Sequence, residues 1–134
     1  MYLVDTNIWL ERLLDQERST EVGQFLSQIP AEQLLVSDFT VHSIGVILGR
    51  LERQNVLPQF IDDVFVYGGA GLVTVLPEAL YHVVSAMEQF TLDFDDAYQY
   101  VAAQQSNAVI VSFDKDFDCT DYGRQTPASV IGPE

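Results

Sequence analysis

The chain has 134 residues, a length that fits one compact domain spanning residues 1–134. Hydrophobic residues make up 48% of it, which excludes intrinsic disorder, and a single cysteine, Cys119, excludes an internal disulfide. The 20 acidic residues and only 6 Lys and Arg give a formal net charge of −14, and a field of that sign repels nucleic acid unless metal ions or clustered arginines intervene.

Short apolar runs alternate with apolar residues at helical spacing along the chain. In chain order the pattern predicts a strand at residues 2–4, helices across 8–29, a strand at 34–36, a helix at 37–51, a helix at 60–65, a strand at 72–76, helices at 78–90 and 94–106, a strand at 108–112 and a last short strand at 128–131.

This alternation of strands and helices predicts an α/β sandwich, in which parallel strands are joined by right-handed crossovers. The strands are short and wholly apolar, which is typical of a sheet covered on both faces. No apolar run is long enough to span a bilayer, and the first residues lack the pattern of a signal peptide. A single cysteine also fits a reducing compartment, so we expect a cytoplasmic protein with no membrane partner.

Acidic residues follow the predicted strands at the edge where parallel sheets bind ligands. Asp5 comes directly after the first strand, Asp114 follows the fourth, and Asp93, Asp95 and Asp96 begin a predicted helix. Neighbouring carboxylates repel one another, which raises the pKa of at least one unless a cation lies between them. Mg²⁺ and Mn²⁺ prefer oxygen ligands and need only a few carboxylates, so the placement indicates a site for one of these ions.

A simpler interpretation of the same acids stays open on placement alone. With 20 acids in 134 residues, some fall at strand ends by chance. Asp93 or Asp95 can serve as the N-cap of the following helix, and Asp114 can be a turn residue.

Three separated segments, and a fourth near the end of the chain, resemble the signature stretches of the PIN domain. They are Leu3-Val-Asp5-Thr-Asn7, Asp95-Asp96-Ala97, Val111-Ser-Phe-Asp114-Lys-Asp116-Phe117 and Thr126-Pro127-Ala-Ser-Val130. The resemblance is strongest to stand-alone PIN ribonucleases, the VapC-type toxins. It implies a three-layer sandwich with a short parallel sheet of about four to five strands. It also implies an endoribonuclease dependent on Mg²⁺ or Mn²⁺, paired with a cognate antitoxin in a type II system and often forming a homodimer.

The resemblance also assigns roles to individual residues. Asp5, Asp96 and Asp114 match the three metal-binding aspartates of the family, and Asp116 matches an acid that some members use as an additional ligand. Ser112 matches the active-site Ser or Thr, whose hydroxyl can bond a ligand or a metal-bound water. These five residues form the expected catalytic and metal-binding set.

Two supporting positions differ in how well they match. Asn7 matches a residue that supports the first aspartate, but Ser43 stands where the family has a glutamate. A serine supplies no carboxylate, which favours one metal ion over two. It also leaves open a second interpretation, a catalytically weakened PIN-like module retained for binding RNA or a partner. On the same helix, Asp38 replaces the missing acid only if the helix begins late, and His42, about 100° round the helix from Ser43, can approach the edge of the site.

Two arginines are candidates for contact with an RNA substrate. Arg12 lies seven residues after Asp5, and Arg50 lies seven residues after Ser43, close to the same helix face. For either arginine taken singly, a solvated surface charge or an ion pair is the favoured interpretation. With a net charge of −14, we expect RNA binding to be weak and strongly dependent on salt.

A phosphoacceptor receiver domain is a further α/β fold with acids around Mg²⁺. It requires paired acids after the first strand, whereas Asp5 is followed by Thr6-Asn7. A Ser-His-Asp triad is also disfavoured, because neither Ser43 nor Ser112 has an adjacent His base in this arrangement.

Overall fold

The computed structural model describes residues 1–132. It contains a four-stranded sheet in the order β3-β2-β1-β4, and every neighbouring pair of strands is parallel. The strands are β1 (Tyr2–Val4), β2 (Leu34–Ser37), β3 (Gly71–Val73) and β4 (Val109–Val111). The helices are α1 (Thr6–Leu13), α2 (Ser19–Gln28), α3 (Asp38–Arg50), α4 (Leu57–Ile61), α5 (Leu80–Phe90), α6 (Phe94–Gln105) and α7 (Pro127–Ile131).

Two separate hydrophobic cores cover the two faces of the sheet. Successive residues of a strand point to opposite faces, so Leu3 packs with residues of α5 and α6, whereas Val4 packs with residues of α1, α2 and α3. Both side chains are completely buried. The result is a three-layer α/β sandwich around a short parallel sheet, as predicted from the sequence.

Three helices begin directly after a residue whose polar side chain caps them. Asp5 accepts a hydrogen bond from the backbone of Thr6 at the start of α1, and Ser37 accepts one from Thr40 in α3. Asp93 caps α6 by accepting from the backbone N–H of Asp96. These tight junctions bring the starts of α1, α3 and α6 to one region at the carboxyl edge of the sheet.

The predicted strand at residues 128–131 is wrong, because that segment is the helix α7. Thr126 and Ser129 form a reciprocal capping box, and Pro127 occupies the first turn, where its missing N–H costs nothing. The predicted strand at 72–76 is shorter than expected. β3 ends at Val73, and the backbone N–H of Val75 leaves the sheet to donate to the Tyr98 hydroxyl at 3.0 Å.

The outer edge of β4 is partly paired with a segment near the end of the described chain. Gln125 forms a parallel bridge with Val111. The N–H of Gln125 donates to the carbonyl of Ile110 at 2.8 Å, and its own carbonyl accepts from Ser112 at 2.9 Å. Among residues 1–132, none of the helices has the length and apolarity that crossing a membrane requires.

Candidate metal centre

The carboxyl ends of β1 and β4 meet the start of α6 at one point of the molecule. β1 and β4 are neighbours, and the backbone N–H of Asp5 donates to the carbonyl of Val111 at 2.9 Å. Asp114 follows β4 and caps a short turn by accepting from the backbone of Asp116 at 2.8 Å. Asp96 lies in the first turn of α6. The topology therefore brings Asp5 close to Asp96 and Asp114, which lie more than 90 residues after it in the chain.

Three carboxylates form a compact group at this point. Asp96, Asp114 and Asp116 each offer one oxygen, and the three oxygens lie within 4.8 Å of one another. Asp116 is exposed, whereas Asp96 and Asp114 are partly buried, so the group is open to solvent on one side. None of these acids lines the cavity of about 430 Å³ that lies beside β4. A polymer could approach such an open group more easily than a closed cavity.

The group is electrostatically strained. Burial, the largest cause, and the negative charges of Asp114, Asp93, Asp5 and Asp116 together raise the pKa of Asp96 from 3.8 to about 7. A cation among these acids would oppose every one of those repulsions. Hard carboxylate oxygens at this spacing are the donors that Mg²⁺ and Mn²⁺ prefer, so the side chains fit a divalent ion of this kind.

Asp5 has different surroundings from the other three acids. Within residues 1–132 it is not a member of the compact group, although its charge contributes to raising the pKa of Asp96. Burial raises the pKa of Asp5 itself, and hydrogen bonds from Gln99, Ser112 and Thr6 oppose that effect. Asp5 is only 7% exposed, so its carboxylate depends on these donors in place of water.

Ser112 and Asn7 hold Asp5 from the side of β4. The Ser112 hydroxyl donates to Asp5 Oδ2 at 2.7 Å and accepts from the backbone N–H of Asp114 at 2.9 Å. Asn7 Nδ2 lies 3.2 Å from Ser112 Oγ and 3.5 Å from Asp5 Oδ2, and its Oδ1 accepts from the backbone of Phe113. The hydroxyl proton of Ser112 is therefore directed at Asp5, and Ser112 joins two of the acids.

One buried residue at the site, Gln99, was not predicted from the sequence. Gln99 in α6 donates to Asp5 Oδ1 at 2.8 Å, and it also contacts Thr40 in α3. Gln99 follows Asp96 by three residues, so it lies on the same helix face, and it is polar in a stretch where every residue from 97 to 103 is buried. A polar residue within an otherwise apolar helical stretch was the signal that could have identified Gln99.

Asp93 and Ser43 are two further residues that the sequence placed at the site. Asp93 is the N-cap of α6, in agreement with the simpler interpretation of that residue. Ser43 lies in α3, partly buried, one turn after Thr40. The role of Ser43 in the site stays a prediction.

The two arginines predicted to contact RNA lie away from the acids or are engaged elsewhere. Arg12 donates to the hydroxyl and the carbonyl of Ser19 at 3.1 and 3.2 Å, and it packs against Gly23 so closely that a Cβ there would lie 2.8 Å from the guanidinium. Arg50 is exposed in the last turn of α3, about 18 Å along the axis from the start of that helix. Their contact with RNA stays a prediction.

A different arginine lies beside the site. The guanidinium of Arg18 stacks over the ring of Phe113, 3.9 Å from its centroid, and Phe113 lies between Ser112 and Asp114 in the chain. Arg18 also forms an ion pair with Glu21 at 3.1 Å, and 46% of its side chain remains exposed. No sequence spacing pointed to it, because the contact depends on how α2 packs against the loop after β4.

A parallel α/β sandwich with acids converging at the carboxyl ends of its strands is an architecture suited to a divalent cation. The chain belongs to the PIN domain family, whose model matches residues 2–121, and proteins of this family are generally nucleases. The resemblance noted in the sequence is thereby confirmed. A comparison with curated proteins gives no match.

Solved structures with a similar fold cover almost the whole chain. A toxin–antitoxin complex from Klebsiella pneumoniae has 19% identity and a TM-score of 0.75, covering 96% of this chain and 99% of that one. FitAcB from Neisseria gonorrhoeae has 22% identity and a TM-score of 0.75, covering 95% and 98%. VapC20 from Mycobacterium tuberculosis, a sarcin-ricin loop cleaving toxin, has 15% identity and a TM-score of 0.72, covering 91% and 96%. These similarities concern the fold.

Proposed function

We propose that this chain is a divalent-metal-dependent endoribonuclease that hydrolyses RNA phosphodiester bonds and acts as the toxin of a type II toxin–antitoxin pair. The observation that carries the proposal is the group of three carboxylates, with oxygens within 4.8 Å of one another, in a member of the PIN domain family. The raised pKa of Asp96 supports it, because burial and the neighbouring negative charges both disfavour the ionised form of Asp96, and a bound cation would favour it.

In this proposal Asp96, Asp114 and Asp116 hold a Mg²⁺ or Mn²⁺ ion, and Asp5 faces it from the end of β1. When bound, such an ion polarises a phosphoryl oxygen and lowers the pKa of a coordinated water. Asp5 is buried, and Gln99, Ser112 and Thr6 donate to its carboxylate, which opposes the rise in pKa that burial causes. The protein thus supplies a fixed array of carboxylates at the carboxyl edge of the sheet, open to solvent on one side.

The remaining side chains of the site orient the acids. Ser112 receives the backbone N–H of Asp114 and gives its proton to Asp5, so it is not free to act as a nucleophile. Asn7 bonds to Ser112 and to the backbone of Phe113, which fixes the loop that carries Asp114. No covalent enzyme–substrate intermediate is expected, and hydrolysis would proceed by direct attack of water.

Electrostatics limits how RNA reaches this site. The net charge of −14 repels the phosphate backbone, and Arg18 is an exposed cation adjacent to the loop of Asp114. We propose that Arg18 contacts a phosphate of the substrate, with binding that weakens steeply as salt rises.

The toxin assignment draws on what the structural neighbours are. One is a toxin–antitoxin complex and another is a sarcin-ricin loop cleaving toxin. By analogy this chain would act on RNA in the cytoplasm, form a homodimer and be neutralised by a cognate antitoxin. The analogy rests on the fold, so the acids of this chain carry the chemical part of the proposal.

The test is cleavage of a structured RNA by the purified protein with Mn²⁺, Mg²⁺ or EDTA. We expect cleavage with either metal, none in EDTA, and none by Asp5→Asn or Asp114→Asn. Asp62→Asn is the matched control, because Asp62 is an exposed acid outside the group, and it should cleave normally. Cleavage that continues in EDTA, or that survives Asp114→Asn, would contradict the proposal.

A second candidate function is a PIN-like module with weakened catalysis that binds RNA or a partner. Ser43 favours it, since that position in α3 carries no charge where the family has a carboxylate. Metal binding without RNA cleavage during long incubation would support the module and count against the nuclease.

A further inference from the structure

A glutamine lies in the middle of the packed layers beneath the acids. Gln99 is only 1% exposed, although most of its neighbours in α6 are apolar. Burying an amide without partners is unfavourable, and an apolar side chain would fill the same volume without that cost. The position therefore calls for an explanation beyond packing.

Every polar atom of this amide has a partner. Nε2 donates one proton to Asp5 Oδ1 and the other to Thr40 Oγ1, both at 2.8 Å. Oε1 accepts from Ser37 Oγ at 2.6 Å. Asp5 Oδ1 also accepts from the backbone N–H of Thr6 and Asp5 Oδ2 accepts from Ser112, so turning the amide over would place Oε1 against an oxygen that already acts as an acceptor. The neighbours thus fix a single orientation of Gln99.

These bonds connect three elements that carry the site. Gln99 lies one turn after Asp96 on the same face of α6, and its bond to Asp5 ties that face to the end of β1. Its bonds to Ser37 and Thr40 tie it to the junction of β2 and α3. The Oγ1 atoms of Thr40 and Thr6 lie 2.9 Å apart and close the network back to α1.

We infer that Gln99 is a positioning residue, whose amide sets the direction of the Asp5 carboxylate relative to Asp96 so that the acids are prearranged for a divalent cation. The inference rests on the proposed metal site. Nothing in the charge or spacing of the sequence assigns this role. Gln99 acts through Asp5, and it reaches the cation only through that carboxylate.

The first experiment measures Mn²⁺ affinity by titration calorimetry in four proteins. Gln99→Met keeps the length of the side chain and removes its hydrogen bonds, and we expect it to weaken Mn²⁺ binding at least about tenfold. Gln105→Met makes the same change later in α6, where the amide donates to the carbonyl of Thr74 at the protein surface. Val83→Ala opens a buried position in α5 as a control for lost stability. Both controls should bind Mn²⁺ as the wild type does.

A double-mutant cycle separates positioning from a general structural role. Because Gln99 acts through Asp5, Asp5→Asn combined with Gln99→Met should bind Mn²⁺ within about twofold of Asp5→Asn alone. Independent, multiplicative losses would overturn the inference, and so would wild-type affinity in a folded Gln99→Met protein. A wild-type protein that binds no Mn²⁺ would refute the metal site itself, and this inference would fall with it.

If Gln99→Met does not fold, a measurement on the metal-free wild type tests the hydrogen bond between Gln99 and Asp5. In the NMR spectrum of the metal-free wild type, the side-chain amide protons of Gln99 should exchange slowly with solvent, and Asp5→Asn should shift them strongly. The amide protons of Gln105, which is exposed, should exchange fast and stay in place. Fast exchange of the Gln99 amide, or indifference to Asp5→Asn, would refute the bond on which the inference depends.

Discussion

The raised pKa of Asp96 predicts how the stability of the metal-free protein changes with pH. In the metal-free protein the pKa of Asp96 is about 7 in the folded state and 3.8 as the ordinary value. Between these two pH values the folded state binds more protons than the unfolded state, so the free energy of unfolding falls as pH rises from about 4 to about 7. Asp96→Asn removes the ionisation and should remove that part of the slope.

The size of the pKa shift sets an upper limit for the change in the free energy of unfolding. At 1.36 kcal/mol for each pKa unit, the raised pKa of Asp96 corresponds to about 4 kcal/mol. Asp96 is only partly buried, so water weakens both the effect of burial and the repulsion from the other acids, and we expect about 1–2 kcal/mol. In EDTA at pH 8, Asp96→Asn should therefore melt about 4–8 °C above the wild type. Near pH 4 the two proteins should melt together.

Metal should reverse the order of stability. At a Mn²⁺ concentration of about 100 times Kd the wild type gains about 2.7 kcal/mol, whereas Asp96→Asn gains little because a ligand is lost. The assay is thermal melting by circular dichroism at pH 4, 6 and 8, with EDTA or Mn²⁺. Asp95→Asn, which changes the exposed acid next in the chain, should stay within about 0.5 kcal/mol of the wild type. If Asp96→Asn is no more stable than the wild type in EDTA at pH 8, the electrostatic reasoning is refuted.

Three further predictions concern the surroundings of the site. Ser37→Ala removes the cap that receives the N–H of Thr40, and it should lower the free energy of unfolding by about 2 kcal/mol; an unchanged urea midpoint would contradict this. Arg12→Gln should cost about 1 kcal/mol of stability and lower RNA affinity less than Arg18→Gln, which should weaken RNA binding and reduce the salt slope by about 1. Equal effects of the two arginine changes in a binding titration would argue against the role of Arg18. Ser43→Glu adds a carboxylate in α3 and should increase Mn²⁺ affinity and RNA cleavage; no change in either would show that this position does not face the cation.

The layers of the fold were predictable because local signals and the packing agree. The apolar run before Asp5 is buried on both faces, so a short continuous hydrophobic segment correctly predicted β1. The helix α7 was mistaken for a strand because a helix of five residues is too short to show a helical period. Its start depends on a capping box between Thr126 and Ser129, a local signal that the apolar pattern outweighed.

The site was predictable only where charge and topology coincide. Asp5 and Asp114 follow neighbouring parallel strands, so their approach follows from the fold, and Asp116 came from the resemblance. Gln99 carries no charge, and its role depends on which side chains lie across the helix from it. The hydrogen bonds of Arg12 depend on the packing of α1 against α2, which helical spacing does not specify.

The pairing of Gln125 with β4 has a consequence for the behaviour of shortened proteins. An edge strand with unpaired N–H and carbonyl groups is a template on which another chain can add a strand. Here the N–H of Ser112 and the carbonyl of Ile110 are already occupied by the backbone of Gln125. Truncation before residue 124 would free both groups next to the acids, and the shortened protein should self-associate through intermolecular β-pairing that the intact chain prevents.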